Sequence, residues 1–181
     1  MDLFKNIILV IIAPRVGWDD VNQSSVKTSE IFTKAFFPLL CTLVITSFIP
    51  MFYDATITIP ATIKKAIVDF SAYFFTYYIA AFLISGFFPE LAKTKAGIAR
   101  VNDFCLYNLI YLIVLNILAN VLPIEFTPIY FLMLYLPWIA LRGTAHLGVK
   151  SDKVAKFVVF ASALLILTPR FIMYAFSIVL P

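Results

Sequence analysis

Five long apolar stretches follow one another along the chain, separated by short polar segments. They cover about residues 35–53, 66–88, 104–122, 123–141 and 154–180. A membrane-crossing helix needs about 20 predominantly apolar residues, because the hydrocarbon core is ~30 Å thick. None of the stretches has the alternating polar period of a barrel strand. The pattern therefore predicts an all-α membrane protein, in which residues 35–181 form one domain, a bundle of five transmembrane helices.

The first 34 residues are expected to form a cytoplasmic arm that begins with a short helix. Leu3 to Ala13 is an apolar run of eleven residues, which as a helix is ~16 Å long, about half the hydrocarbon core. It lacks the basic flank and the cleavage site of a signal peptide. We therefore predict an interfacial or re-entrant helix, anchored at headgroup level by Trp18.

Composition supports lipid as the solvent of this chain. Hydrophobic residues make up 62% of it, charged residues 13%, and the mean hydropathy is +0.98. A soluble domain is about half apolar and a quarter charged. Membrane lipids are thus the first expected partners. Nucleic-acid binding is not expected, because the net charge of +4 is spread over loops at the membrane edge.

Lysine and arginine are unevenly divided between the two sides that five crossings create. Two, Lys64 and Lys65, follow the first crossing, and eleven fall on the opposite side. Because cytoplasmic loops carry the excess of basic residues, this predicts a cytoplasmic N-terminus and an outside C-terminus. It also favours five crossings over four. The eleven residues are Lys5, Arg15, Lys27, Lys34, Lys93, Lys95, Arg100, Arg142, Lys150, Lys153 and Lys156.

Three charged residues lie in or beside the apolar stretches, towards the predicted outer side. Arg170 interrupts the last stretch beside Pro169, Asp69 lies near the start of the second, and Glu125 lies at the edge of the fourth. A charge at this depth usually faces a partner or a wet cavity. We expect Arg170 to pair with Asp69 or, as the weaker alternative, with Glu125. Snorkelling to the outer headgroups and an anion or lipid site remain open.

A polar stripe follows one face of the third stretch. Asn108, Asn116 and Asn120 stand at multiples of four residues, with Leu112 filling the gap, so they share a helical face. Amides in a membrane tend to hydrogen-bond across helices. Interhelical packing is the first interpretation, and a pathway for a polar solute is the alternative.

The basic loop before the last stretch is a candidate contact for anionic lipid. Arg142, Lys150, Lys153 and Lys156 lie there, and each basic residue near an anionic surface contributes ~1 kcal/mol. The general preference for basic residues in cytoplasmic loops would by itself also explain these four residues. His146, the single histidine, is predicted to be a solvated residue of this loop.

Residue types offer no catalytic constellation. HExxH, GxSxG and glycine-rich phosphate-binding motifs are all missing from the sequence. Cys41 and Cys105 are predicted to be small buried hydrophobes. We expect a protein that is not an enzyme and that requires no cofactor and no metal.

Several short motifs resemble the Yip family of membrane proteins, named for its Rab/Ypt-interacting members. They are Arg100 to Asn108 (RVNDFCLYN), Pro123, Tyr135, Leu141-Arg142-Gly143, and Lys153 to Lys156, with Ala13 to Trp18 (APRVGW) similar to the start of bacterial members. The resemblance implies five crossings and a cytoplasmic N-terminus, in a compact bacterial-type member. The "DLYGP"-like arm of eukaryotic members is absent, and so is a proline early in the third crossing, where Tyr111 and Leu112 stand.

The resemblance implies a membrane scaffold or adaptor that acts through lipids, other membrane proteins or self-association, in a bacterial cytoplasmic membrane. A small transporter, channel or accessory subunit is the alternative, and it predicts that the asparagine stripe and Arg170 line a water-accessible cavity. An intramembrane enzyme is the third class. It would need a convergent acid, base or nucleophile that the sequence does not supply.

Overall fold

The computed structural model describes residues 2–122 and 129–179, and every regular element in these ranges is helical. The all-α prediction is therefore confirmed for this part of the chain. The α-helices are α1 (Asp2–Ile12), α2 (Pro14–Gln23), α3 (Thr28–Ile31), α4 (Phe37–Thr46), α5 (Ile59–Phe87), α6 (Lys95–Val121), α7 (Ile129–Leu132), α8 (Leu136–Leu147) and α9 (Val154–Val179).

Four helical stretches are long and apolar enough to cross a membrane. The first, Thr28–Phe52, joins α3 to α4 through a π-helical turn and ends in a 3₁₀ turn; the others are Ile59–Phe87, Lys95–Val121 and Ser151–Val179. The first three begin seven to nine residues earlier than hydropathy indicates, because helix continues through polar turns. Thr58 and Thr94 set two of these starts, since each hydroxyl accepts a backbone N–H at an amino-terminal cap.

The fourth predicted stretch does not form one continuous helix in the described residues. Residues 123–128, which include Pro123 and Glu125, lie outside the described ranges. From residue 129 the chain forms α7, a 3₁₀ turn at Met133–Tyr135 and then α8. Helix α8 continues past the predicted boundary at Leu141 and ends at Leu147. The next residue, Gly148, caps the helix with a φ of 69°, the left-handed conformation that favours glycine.

Helices α4, α5 and α6 alternate in direction, so the two turns that join them lie at opposite ends of the bundle. We call these the Asp54 end, where α4 leads to α5, and the Glu90 end, where α5 leads to α6. Of the four long helical stretches, α6 is the most enclosed by the rest of the protein, with 67% of its most apolar part buried. Helix α9 starts at the Glu90 end, where Lys153 Nζ lies 2.6 Å from Glu90 Oε1.

Helices α1 and α2 form a tight pair that we call the amino-terminal hairpin. Lys5 and Asp20 form an ion pair of 2.7 Å between the two helices. Near the turn, Gly17 lies against the Val10 backbone. One face of α1 packs inward, whereas Phe4, Ile8 and Ile12 are more than half exposed. Helix α1 thus presents an apolar stripe on its exposed face.

The sequence predicted that Trp18 anchors the short helix at headgroup level, but Trp18 is buried inside the protein. Its side chain is 1% exposed, and its indole Nε1 donates to the Ile139 carbonyl of α8 at 3.0 Å. The ring packs against Phe104 and Tyr107 of α6. Inside the protein, the apolar ring of Trp18 packs against other rings and its N–H donates a hydrogen bond. These contacts hold α2 against α8.

Candidate functional site

A cavity of about 520 Å³ lies between α5, α6 and α9, towards the Asp54 end. We call it the polar cavity. It contains charged and amide side chains on a largely apolar wall, a composition typical of ligand sites of this size. Its lining residues are Lys65, Asp69 and Tyr73 of α5, Leu112 and Asn116 of α6, Met133 of the 3₁₀ turn, and Ile166, Pro169, Arg170 and Met173 of α9.

Lys65 and Asp69 form an ion pair on one face of α5. They stand four residues apart, and Lys65 Nζ lies 2.6 Å from Asp69 Oδ2. The Asp69 side chain is only 7% exposed, whereas that of Lys65 is 46% exposed. Lys65 also donates to Asn120 Oδ1 at 3.1 Å. Sequence reasoning missed Lys65 as a site residue, although its spacing from Asp69 is that of a helical ion pair.

Arg170 shares the polar cavity with Asp69, but its contact is elsewhere. Its Nη2 donates to Met133 Sδ at 3.3 Å, and no ion pair of 4.0 Å or less joins Arg170 to any carboxylate in the described ranges. The expected Arg170–Asp69 pair is therefore not formed, and the Asp69 carboxylate pairs instead with Lys65 of its own helix, α5. The alternative partner, Glu125, lies outside the described residues.

The asparagine stripe divides into three different environments. Asn120 is 5% exposed, and its Oδ1 accepts a hydrogen bond from Lys65. Its Nδ2 lies 3.4 and 3.5 Å from the hydroxyls of Thr46 and Ser47. Asn120 therefore connects α6 with α5 and with the end of α4. Asn116 lines the polar cavity. Asn108 is fully buried and donates to the Phe104 carbonyl of its own helix at 2.8 Å.

The four basic residues proposed to contact anionic lipid, Arg142, Lys150, Lys153 and Lys156, are only partly available to lipid headgroups. Lys150 and Lys156 are exposed. Lys153 pairs with Glu90, and hydrogen bonding from Lys153 lowers the pKa of the Glu90 carboxyl. Arg142 belongs to α8 and is half-buried, with its guanidinium carbon 4.4 Å from the centre of the Trp138 ring.

His146 is a buried helical residue, so its predicted place in a solvated loop was wrong. It lies in α8, is 6% exposed, and its Nδ1 is 2.6 Å from Asn22 Oδ1 of α2. Its ring centre is 5.3 Å from that of Trp18. Because α8 continues beyond Leu141, His146 faces α2. The sequence pattern does not reveal this contact between distant segments.

The two cysteines also differ from each other. Cys105 is buried as predicted, but Cys41 is exposed on α4, so the prediction was wrong for Cys41. In a membrane, apolar side chains on the outer surface of the protein are stable against lipid. A cysteine such as Cys41 therefore need not be buried inside the protein.

The polar cavity presents two cations, one carboxylate and one amide. Lys65, Arg170 and the Asn116 amide can all donate hydrogen bonds, which suits a ligand rich in oxygen acceptors. Within the described ranges no three His, Cys, Asp or Glu side chains are grouped as metal ligands. Comparisons with protein-family models, curated proteins and solved structures find no match to this chain.

Proposed function

We propose that the chain crosses the membrane five times, with residues 129–147 as the additional crossing. Met133, at the start of this segment, contacts Arg170 in the polar cavity. Soon after the segment ends, Lys153 contacts Glu90 at the other end of the bundle. Because α6 has already run from the Glu90 end to the Asp54 end, the chain returns through α7 and α8. The eleven-to-two division of basic residues supports a cytoplasmic position for the Glu90 end.

We further propose that the protein is a non-enzymatic membrane adaptor of Yip type. One observation carries this proposal: three separate segments that resemble the family meet at Trp18. A Cβ atom at Gly143 would lie 2.8 Å from the Phe104 ring and 2.9 Å from Trp18. Trp18 therefore packs among residues of all three segments. The hairpin held by this contact exposes Phe4, Ile8 and Ile12, the face that would bind another membrane protein.

Photo-crosslinking in native membranes tests the adaptor proposal. A photoreactive amino acid at Ile8, which is 56% exposed, is expected to give a discrete adduct with another protein. The matched control at Leu109, which is fully buried, is expected to give none. Adducts with lipid alone at Phe4, Ile8 and Ile12 would overturn the adaptor proposal.

A small transporter, channel or accessory subunit is the second candidate. The observation that favours it is that Asn116 and Arg170 line one cavity, as a polar solute pathway requires. Asn116→Cys, in a chain with Cys41 and Cys105 replaced by alanine, is expected to react with a membrane-impermeant maleimide added on the outer side. Leu109→Cys is the unreactive control. Failure of Asn116→Cys to react from either side removes this candidate.

A further inference from the structure

The side chains that line the polar cavity form two layers along α5 and α6. Lys65 of α5 donates to Asn120 of α6, and this contact aligns the two antiparallel helices. Each step of four residues, ~6 Å, forward along α5 then matches the same step backward along α6. Asp69 therefore lies near the height of Asn116, and Leu112 lies ~6 Å nearer the Glu90 end.

Helix α9 continues the same two layers. It starts at the Glu90 end, so Ile166 lies ~6 Å nearer that end than Arg170 does. Arg170 lies sixteen residues after Val154, or ~24 Å along α9. If Val154 lies at one edge of a hydrocarbon core ~30 Å thick, Arg170 is close to the opposite edge, and the layer of Leu112 and Ile166 is deeper. A ligand in the cavity therefore fits with its polar group near the membrane edge and its apolar part towards the membrane centre.

Arg170 carries a charge that no other described side chain of the polar cavity balances. Lys65 and Asp69 pair at 2.6 Å, so their charges largely cancel. The Arg170 Nη2 donates to Met133 Sδ, a weak acceptor, and no carboxylate of the described ranges lies within 4.0 Å of Arg170. One negative charge on a ligand therefore balances the site, whereas a second would find no further cation among the lining residues and would be repelled by Asp69. A carboxylate offers a guanidinium two oxygens for paired, charge-assisted hydrogen bonds.

The size and the walls of the cavity indicate an organic ligand. The cavity volume of about 520 Å³ lies within the range of about 300–1,000 Å³ that is typical of pockets for whole organic ligands. A small inorganic anion at Arg170 would leave the layer of Leu112 and Ile166 without a contact. An apolar body in this layer is removed from water, and this burial adds to the binding.

We propose that the polar cavity binds a monocarboxylate with an apolar body. The carboxylate accepts hydrogen bonds from Arg170 and from the Asn116 amide, and the body packs against Leu112 and Ile166. The proposal goes beyond the adaptor role and does not involve the amino-terminal hairpin. It also does not require the ligand to cross the membrane, so it can hold or fail independently of both candidate functions.

Binding of a radiolabelled acid to the purified protein in nanodiscs tests the proposal. Benzoate and octanoate are the probes, and binding to empty nanodiscs is subtracted. Wild type is expected to bind both saturably, and the uncharged analogues benzamide and octanamide are expected not to compete. Arg170→Gln is expected to bind about tenfold more weakly, because it loses a charged hydrogen bond to the ligand. The control Lys93→Gln removes an exposed cation at the Glu90 end and is expected to bind as wild type does.

Two further variants separate the site from the fold. Arg170→Lys keeps the charge without the paired geometry of a guanidinium and is expected to recover part of the binding. Ile166→Trp fills the apolar layer without a change of charge and is expected to weaken the binding of both probes. Thermal unfolding without ligand is measured for each variant, so that a loss of binding is distinguished from a loss of the fold.

The source of the acid is determined by native mass spectrometry of the protein purified from its native membrane. A fatty acid retained by wild type and not by Arg170→Gln would assign the membrane as the source, whereas benzoate binding to protein that retains no fatty acid would assign a water-soluble acid. Absence of saturable binding to folded wild type that retains no fatty acid, or equal affinity of wild type, Arg170→Gln and Ile166→Trp, would overturn the proposal. Saturable binding of radiolabelled phosphate in place of both acids would overturn the assignment to a carboxylate.

Discussion

Two glycines mark places where helices approach closely. Gly17 leaves no room for a Cβ atom beside the Val10 backbone, and Gly143 has the rings of Phe104 and Trp18 within 2.9 Å of that position. At both sites the missing side chain allows a neighbouring helix to pack. Their roles are therefore steric, since both have ordinary helical φ values.

Gly17→Ala is expected to destabilise the amino-terminal hairpin. The new methyl group meets backbone rather than a flexible side chain, so α1 and α2 must separate, at a cost of about 1–3 kcal/mol. Gly86→Ala is the matched control, because nothing lies within 4 Å of a Cβ there. It should be neutral or slightly stabilising, since alanine favours helix. Thermal unfolding in detergent micelles measures both, and equal midpoints would contradict the steric role.

Trp18, His146 and Cys41 show what single-residue reasoning missed. Tryptophan is common at membrane interfaces, and histidine beside a basic loop is commonly solvated. Here the Trp18 indole and the His146 ring lie against each other between α2 and α8. The contact between α2 and α8 joins segments more than a hundred residues apart, so no local pattern contains it.

At the scale of elements, Asn120 joins three helical segments near the Asp54 end. It contacts Lys65 of α5 and, more weakly, the hydroxyls of Thr46 and Ser47 at the end of α4. Asn120→Leu is expected to destabilise the protein by about 1 kcal/mol, a typical value for an interhelical polar contact in a membrane. Asn116→Leu is the control, since it changes an amide that faces the cavity. Detergent unfolding curves compare them, and a larger loss for Asn116→Leu would contradict this role.

The α7–α8 segment determines the topology, and cysteine accessibility tests it. With five crossings, Ser151→Cys lies on the same side as Lys93→Cys, whereas Thr56→Cys and Ser177→Cys lie on the other. An impermeant maleimide should therefore label the two pairs from opposite sides in a chain without Cys41 and Cys105. Labelling of Ser151→Cys from the Thr56 side would contradict the crossing of residues 129–147.

For the whole molecule, hydropathy predicted the long helices because burial in lipid acts on about 20 residues at once. The sequence placed Asp69 and Arg170 towards the outer side, and the structure brings both into one cavity, together with Asn116. The expected pairing of Arg170 with Asp69 is not formed there, since Asp69 pairs with Lys65. The competition between Lys65 and Arg170 for Asp69 depends on side-chain reach between α5 and α9, and helical spacing alone cannot rank the two.

The Glu90–Lys153 pair joins the α5–α6 turn to the start of α9, and it should make the stability of the whole bundle depend on pH. Because the folded-state pKa of Glu90 lies below its ordinary value of 4.5, the pair contributes stability above that pH. The contribution is lost as pH falls through the lowered pKa, when the folded-state carboxyl takes up its proton. Glu90→Gln should therefore unfold at a lower temperature than wild type near neutral pH, and the difference should vanish in acid.

The control for this prediction is Asp19→Asn, an exposed carboxylate of α2 with no ion pair of 4.0 Å or less in the described ranges. It should leave the dependence of the unfolding midpoint on pH unchanged. Added salt should reduce the Glu90→Gln difference as well, because the pair is partly exposed and its attraction is screened. Because glutamine has the same length and shape as glutamate and differs in charge, a Glu90→Gln difference that persists in acid would contradict the electrostatic role of the pair.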